Sequence, residues 1–151
     1  MAAAGAGAGR EGRRSTLGVS GVYETSLYVA DLARACAFYQ ELFGLELVGG
    51  GVGADDRLTA LRVGERQVLL LFRQGASAGG ASLAHDARGQ THVAFAVAAA
   101  DIGAWERRLR DRGLAIERII DWRPGVRSLY VRDPDRHLVE VATPGVWGAA
   151  L

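Results

Sequence analysis

Three ionisable residues on separate predicted strands have the side-chain types of a divalent-metal site. Glu24, His92 and Glu140 supply a carboxylate, an imidazole and a second carboxylate. Such ligands bind manganese, iron, nickel or zinc at roughly 2.0–2.2 Å, and three of them leave coordination positions open for water or a bidentate substrate. Because all three ligands must be deprotonated, metal binding should weaken in acid. The trio therefore predicts a site for one divalent ion.

Strand periodicity places these residues opposite the packed faces of their strands. In residues 91–97 bulky apolar side chains alternate with His92 and two alanines, and in residues 138–142 two valines alternate with Glu140. Successive side chains of a strand point to opposite faces, so His92 and Glu140 share faces with small residues that leave room for a ligand. Taken singly, each residue also fits an exposed or hydrogen-bonded structural position.

The elements that must position these residues occur twice along the chain. A strand, a helix that begins after an aspartate N-cap and ends at a glycine, and three further strands are predicted in each half. The predicted strands are 22–29, 45–48, 58–63 and 67–72, then 91–97, 114–120, 126–131 and 138–142, with N-caps at Asp31 and Asp101 and helix ends at Gly44 and Gly113. Superposing the halves puts Glu24 on His92, which indicates an internal duplication.

This duplication predicts an α+β fold of two βαβββ modules that form a concave, partly closed mixed sheet with the helices outside. Residues 1–20 are an Ala/Gly/Arg tail that is expected to be disordered, residues 21–74 the first module, 75–89 an inter-module loop, 90–145 the second module and 146–151 a C-terminal tail. The groove inside the modules is where a small-molecule substrate is expected.

Composition excludes several other classes of protein. The formal net charge is +1 and 23% of the residues are charged, so neither nucleic acid nor a membrane is an expected partner. The sequence has no lysine and one cysteine, Cys36, which excludes Schiff-base chemistry and an internal disulfide. Cys36 is predicted to be a buried, inert thiol. The N-terminal residues do not follow the order of a secretory signal, which predicts a cytoplasmic protein.

Four segments resemble the vicinal-oxygen-chelate superfamily, which includes glyoxalases, fosfomycin and bleomycin resistance proteins and extradiol dioxygenases. They are ETSLYVADL at 24–32, FYQELFGL at 38–45, HVAFAV at 92–97 and LYVRDPDRHLVE at 129–140. The resemblance covers about residues 21–145. It implies a metal-dependent enzyme that chelates a small oxygen-bearing substrate on one divalent ion. Such an enzyme would be a lyase, a dioxygenase or a transferase. The alternatives are a metal-free drug- or metabolite-binding protein of the bleomycin-resistance type and an accessory or structural relative with a vestigial site.

The resemblance also implies roles for particular residues. Glu24, His92 and Glu140 fall on ligand positions, and Tyr130 is the candidate catalytic residue. The fourth-strand position, a carboxylate in glyoxalases, is occupied by Leu70, which cannot coordinate. This departure weakens a glyoxalase assignment, and glutamate at position 24 fits an extradiol dioxygenase imperfectly.

The resemblance further suggests a homodimer in which Glu24 comes from one chain and His92 with Glu140 from the other. Arg136 replaces a glycine of the closing turn and is expected to adopt a left-handed conformation that costs roughly 1 kcal/mol.

Further polar residues are candidates for lesser roles. Tyr28 and Tyr130 are predicted to point into the groove from their strands. They either donate hydrogen bonds to the substrate or line the groove through packing. Arg62 and Arg132 are candidate anchors for an anionic substrate. His85 and His137 are predicted to lie at the surface rather than to bind the metal. The glycine-rich segment 49–56 is predicted to be a surface loop, with a lid over the groove as the alternative.

Overall fold

The computed structural model describes residues 18–79 and 83–148, so most of the tail predicted to be disordered lies outside the described residues. The elements confirm the predicted α+β class, with the order βαβββ occurring twice. They are β1 (Glu24–Val29), α1 (Leu32–Phe43), β2 (Glu46–Gly50), β3 (Leu58–Val63), β4 (Gln67–Arg73), β5 (His92–Ala96), a short 3₁₀ helix (Ala99–Asp101), α2 (Ile102–Asp111), β6 (Arg118–Arg123), β7 (Val126–Arg132) and β8 (Leu138–Ala142).

Each module forms its own four-stranded mixed sheet. The strand orders are β1-β4-β3-β2 and β5-β8-β7-β6. The first strand of each module pairs in parallel with the last, and the remaining pairs are antiparallel. Within the described residues the two sheets are not joined, so β1 and β5 each form the edge of a sheet.

Helix α1 forms as its sequence predicts. The Asp31 carboxylate accepts the backbone N–H of Arg34 at 3.0 Å, and the helix ends at Gly44, whose φ of 69° is left-handed. Its apolar stripe packs into the core through Leu32, Ala35, Cys36, Tyr39 and Leu42. The predicted burial of Cys36 is confirmed, with 3% of the residue exposed, and this burial raises the pKa of its thiol.

Helix α2 begins differently from the prediction. The Asp101 side chain makes no capping hydrogen bond, because Asp101 already belongs to the 3₁₀ helix that begins at Ala99. Asp101 thus occupies the predicted N-cap position directly before Ile102, but its side chain does not cap the helix; Gly113 has the expected positive φ of 70°. Neither α1 nor α2 is long and apolar enough to cross a membrane.

Both modules share one hydrophobic core. Phe43 of α1 stacks on Phe95 of β5 and on Trp105 of α2, with ring centroids 4.4 and 5.4 Å apart. The Arg108 guanidinium donates to the Leu42 carbonyl at 2.8 Å, which satisfies an acceptor at the C-terminal end of α1. The modules are thus held together by apolar packing and by bonds to the end of a helix.

The glycine-rich segment 49–56 was predicted to be a loop throughout, and its start is instead part of β2. The β2–β3 register shifts between Leu47 and Gly49, which lets the strand continue to Gly50. Gly50 has a φ of 70°, and a Cβ at this position would collide with the backbone of Leu58. Only glycine fits this close approach of the two strands.

Arg136 adopts the expected left-handed conformation, with a φ of 69°, and it is the one non-glycine residue with positive φ in the described part of the chain. We expect Arg136→Gly to be more stable than Arg136→Ala by about 1 kcal/mol, because both variants remove the guanidinium and only alanine retains the strain. Thermal unfolding of the two variants measures this difference. Equal stability would show that the turn is not strained.

Candidate metal centre

His92 and Glu140 meet on the face of the second sheet that is opposite the buried Val139 and Val141. The β5–β8 register pairs Ala94 with Glu140, so the histidine lies two residues along the neighbouring strand and on the same face. The distance from His92 Nε2 to Glu140 Oε2 is 3.2 Å. Glu140 is 7% exposed, whereas about half of the His92 side chain is open to solvent. The carboxylate is therefore held in place while the imidazole remains accessible.

A backbone contact orients the His92 imidazole. Its Nδ1 lies 3.1 Å from the Leu138 carbonyl oxygen, which can only accept a hydrogen bond. An Nδ1–H group therefore donates to this carbonyl, and Nε2 is the ring nitrogen that faces Glu140. Metal-binding histidines commonly donate their second ring N–H to a carbonyl in this way.

Tyr130 completes this group of side chains. It pairs with Glu140 in the β7–β8 register, and its ring centroid lies 6.4 Å from that of His92. Partial burial and a hydrogen bond with Glu140 raise the pKa of the Tyr130 phenol. The phenol therefore keeps its proton at neutral pH and can act as a hydrogen-bond donor beside the two candidate ligands.

Glu24 lies apart from this group within the chain. It is exposed at the start of β1, and it lines a cleft of about 1090 Å³ that also contains Arg62 and residues 93–96 of β5. In residues 18–79 and 83–148, no three His, Cys, Asp or Glu side chains form a group that could hold a metal ion. The structure thus brings together two of the three predicted ligands.

The strand registers support the internal alignment of the two modules. Glu24 pairs with Val68 and His92 pairs with Leu138, so Leu70 occupies the position in the first sheet that Glu140 occupies in the second. Leucine provides no ligand atom there. The first module can therefore offer one carboxylate, Glu24, at the positions that correspond to the His92–Glu140 pair.

Of the two histidines predicted to lie at the surface, His137 is 1% exposed, so that prediction was wrong. Its Nε2 lies 2.9 Å from the Tyr28 carbonyl and its Nδ1 3.1 Å from the Thr91 backbone nitrogen. Strand parity could not reveal this burial, because it results from the second module's closing turn packing against the end of β1. His137 therefore connects the two modules through hydrogen bonds at both ring nitrogens, and it is not a candidate metal ligand.

The same turn carries a buried carboxylate. Asp133 is 3% exposed and accepts hydrogen bonds from the Tyr39 hydroxyl at 2.8 Å and from the His137 backbone N–H at 2.8 Å. Burial raises the pKa of Asp133, although these hydrogen bonds act in the opposite direction. This network fixes the turn from which β8, and with it Glu140, begins.

His85 is exposed as predicted, yet it also contacts the face that carries Glu24. The Tyr28 hydroxyl lies 2.5 Å from His85 Nδ1, and the His85 ring meets Phe72 edge-on at 4.7 Å. The sequence contained no signal for this contact, because His85 belongs to the inter-module loop.

The two arginines predicted as anion anchors already have partners. Arg62 forms an ion pair with Glu46 at 3.2 Å. Arg132 contacts Glu117 at 3.1 Å and also donates to the Arg136 carbonyl. A guanidinium missed by the sequence analysis, that of Arg118, lies opposite Tyr130 in the β6–β7 register and is exposed. It is the better candidate for contact with an anionic ligand near His92.

Comparison with known proteins identifies the family. The model of the glyoxalase/bleomycin resistance protein/dioxygenase superfamily matches residues 21–141. The chain belongs to this superfamily. Membership confirms the resemblance seen in the sequence and fits the paired βαβββ modules.

Individual members of the superfamily align over most of the chain. A lactoylglutathione lyase from Agrobacterium tumefaciens is 35% identical, with a TM-score of 0.78 over 86% of this chain and 98% of its own. The metallothiol transferase FosB of Bacillus licheniformis is 28% identical over 85% of this chain and 79% of its own length. The fosfomycin resistance protein FosX of Listeria monocytogenes is 23% identical, with a TM-score of 0.60 over 82% of this chain and 90% of its own, and shares the fold.

Proposed function

We propose that the protein is a metal-dependent enzyme that binds one divalent ion through His92, Glu140 and Glu24 and acts on a small substrate with two neighbouring oxygens. The observation that carries this proposal is the pair formed by His92 and Glu140. Two ligands at about 2.1 Å from one ion, separated by angles of about 90–110°, lie about 3.0–3.4 Å apart. The measured Nε2–Oε2 distance of 3.2 Å falls in this range.

The relatives' names favour two classes of reaction. FosB is named a metallothiol transferase, and the Agrobacterium tumefaciens protein is described as a lactoylglutathione lyase. Both names involve sulfur-bearing compounds, and the first states the use of a metal. We therefore propose a lyase or a transferase. The absence of a ligand atom at Leu70 distinguishes this chain from glyoxalases that use a fourth-strand carboxylate.

The side chains around the proposed centre have separable tasks. A bound divalent ion would supply Lewis-acid stabilisation of negative charge on a substrate oxygen. Burial holds the Glu140 carboxylate in place, and the hydrogen bond to the Leu138 carbonyl orients the His92 imidazole. The Tyr130 phenol, which donates its one hydrogen to Glu140 without substrate, would instead donate it to a substrate oxygen at the centre.

We further propose a homodimer in which Glu24 of one chain completes the site of the other. Support comes from β1 and β5, which each have one unpaired edge in the described structure. Val22 and Tyr23, next to Glu24, are 63% and 73% exposed. A second copy would cover these apolar residues and bring Glu24 towards the partner's second module.

Metal content is the direct test of this proposal. Protein purified without a chelator should contain about one divalent ion per chain by elemental analysis, and a stripped sample should take up about one equivalent of Mn²⁺, Fe²⁺, Ni²⁺ or Zn²⁺. Glu106→Ala, on the outer helix α2, is the matched control and should leave the content unchanged. A protein that neither retains nor takes up an ion would refute the proposal and favour the metal-free binding alternative.

Tyr130→Phe tests the hydrogen bond that we assign to the phenol. Acetohydroxamate, a small probe with two neighbouring oxygens, should bind the metal-loaded variant about ten- to a hundredfold more weakly, because a hydrogen bond to a charged group contributes about 1.5–3 kcal/mol. Calorimetric titration measures the affinity, and elemental analysis should show unchanged metal content. Unchanged affinity for the probe would remove Tyr130 from the site.

A further inference from the structure

A second, smaller cavity lies on the Glu24 face of the first module's sheet, at the Tyr28 end of β1. It has a volume of about 250 Å³ and is lined by Arg57, Leu58, Phe72, Ser77, Leu83 and His85. This volume suits a single ring with one substituent rather than a whole drug-sized ligand. None of these residues belongs to the proposed metal centre.

The floor of this cavity is apolar and aromatic. Leu58 and Phe72 are directly paired in the β3–β4 register, so both point from the same face of the sheet as Glu24. Phe72 also stacks on Tyr28, with ring centroids 5.7 Å apart and an interplanar angle of 23°. Phe72 is 8% exposed, because Tyr28 stacks on it and the His85 ring meets it edge-on. A planar group in the cavity would therefore meet the accessible edge of a fixed aromatic cluster, which favours a flat ring over an aliphatic one.

The rim carries hydrogen-bond donors and positive charge. His85 is held by a 3.0 Å bond from its backbone N–H to the Ser77 carbonyl and by the Tyr28 hydroxyl at Nδ1. With the hydroxyl as donor to Nδ1, the ring hydrogen is on Nε2, so His85 offers a second donor group. The Arg57 guanidinium is fixed by a bond to the Ala76 carbonyl. The neighbouring carboxylate of Asp86 is engaged by the Gly75 backbone N–H at 3.2 Å.

We propose that this cavity is a subsite for a planar ring that bears a carboxylate or a similar anionic group. The ring would lie against Phe72, and the anion would accept hydrogen bonds from Arg57 and His85. Because the cavity would be part of the substrate site, this inference rests on the proposed function. Tyr28 is four residues along β1 from Glu24, or about 13 Å at 3.3 Å per residue, so the subsite lies further along the strand face that carries this candidate ligand.

The test compares small probes in calorimetric titrations of the full-length, metal-loaded protein. The main probe is phenylacetate, which combines a planar ring with a carboxylate. Acetate has the carboxylate but no ring, and cyclohexylacetate has the carboxylate on a non-planar ring. Phenethylamine has the planar ring but carries a positive charge. Phenylacetate should bind at least about tenfold more tightly than acetate or phenethylamine and severalfold more tightly than cyclohexylacetate. The titration with acetate also measures how tightly a carboxylate binds to the metal itself. Equal affinities for phenylacetate and acetate would overturn the proposal.

Two variants locate the binding. Arg57→Gln and His85→Phe should each reduce the preference for phenylacetate over acetate about tenfold, whereas Arg107→Gln, an exposed arginine on α2, should not change it. Both altered residues are exposed, and unfolding curves check that the variants fold. An unchanged preference in both variants would refute the subsite. Metal content, measured on the same samples, reports separately on the proposed function, so failure of one proposal is distinguishable from failure of the other.

Discussion

Replacing Glu140 by alanine is expected to reduce the bound divalent ion to below about a tenth of the wild-type content. The substitution removes one charged ligand and leaves His92 without the oxygen atom 3.2 Å from its Nε2. Folding stability should change by no more than about 1 kcal/mol, because the apolar face of β8 is untouched and a buried carboxylate is costly to desolvate. Elemental analysis and thermal unfolding of the same preparation measure the two effects.

Glu140→Gln separates coordination from packing. The amide keeps the shape of the side chain and can still accept a hydrogen bond from Tyr130, but it has lost the negative charge that favours a divalent ion. We expect a loss of metal similar to that of the alanine variant, with a stability closer to wild type. If Glu140→Ala retains its full metal content, the assignment of the site is wrong.

A heterodimer of two inactive chains is expected to regain metal binding. One chain carries Glu24→Ala and the other Glu140→Ala, and each alone should bind little or no metal. If each site combines Glu24 of one chain with His92 and Glu140 of the other, the heterodimer contains one intact site and one doubly altered site. Its metal content should therefore be about half that of the wild type.

Two different affinity tags on co-expressed chains allow the heterodimer to be isolated by sequential purification. A heterodimer without metal would show that all ligands come from a single chain. Failure to recover any protein carrying both tags, together with a mass of about 16 kDa in light scattering, would refute the dimer itself. A wild-type dimer with two differently tagged chains controls for effects of the tags.

Much of the fold was predictable because it is encoded locally. The alternation of Val139 and Val141 with Glu140, and the helical spacing of apolar residues after Asp31, depend on neighbours within a few positions. Such patterns specify which face of each element is buried. They were sufficient to predict all eight strands of the two modules, with boundaries that differ from the structure by up to four residues. Asp101 precedes the helix as predicted but makes no capping hydrogen bond, since it ends a 3₁₀ turn with a helical backbone conformation instead of the extended one typical of a capping residue.

The types of the candidate ligands and their strand faces were determined by the sequence, whereas their spatial arrangement depends on tertiary structure. His92 and Glu140 are 48 positions apart in the sequence, and the register between β5 and β8 brings them together. The burial of His137 against Tyr28 and the contact of His85 with the same residue come from segments separated by 109 and 57 positions. Local periodicity carries no information about such distant partners, because it describes only which way a side chain points. Which residues meet is decided by how strands pair and how turns pack between the modules.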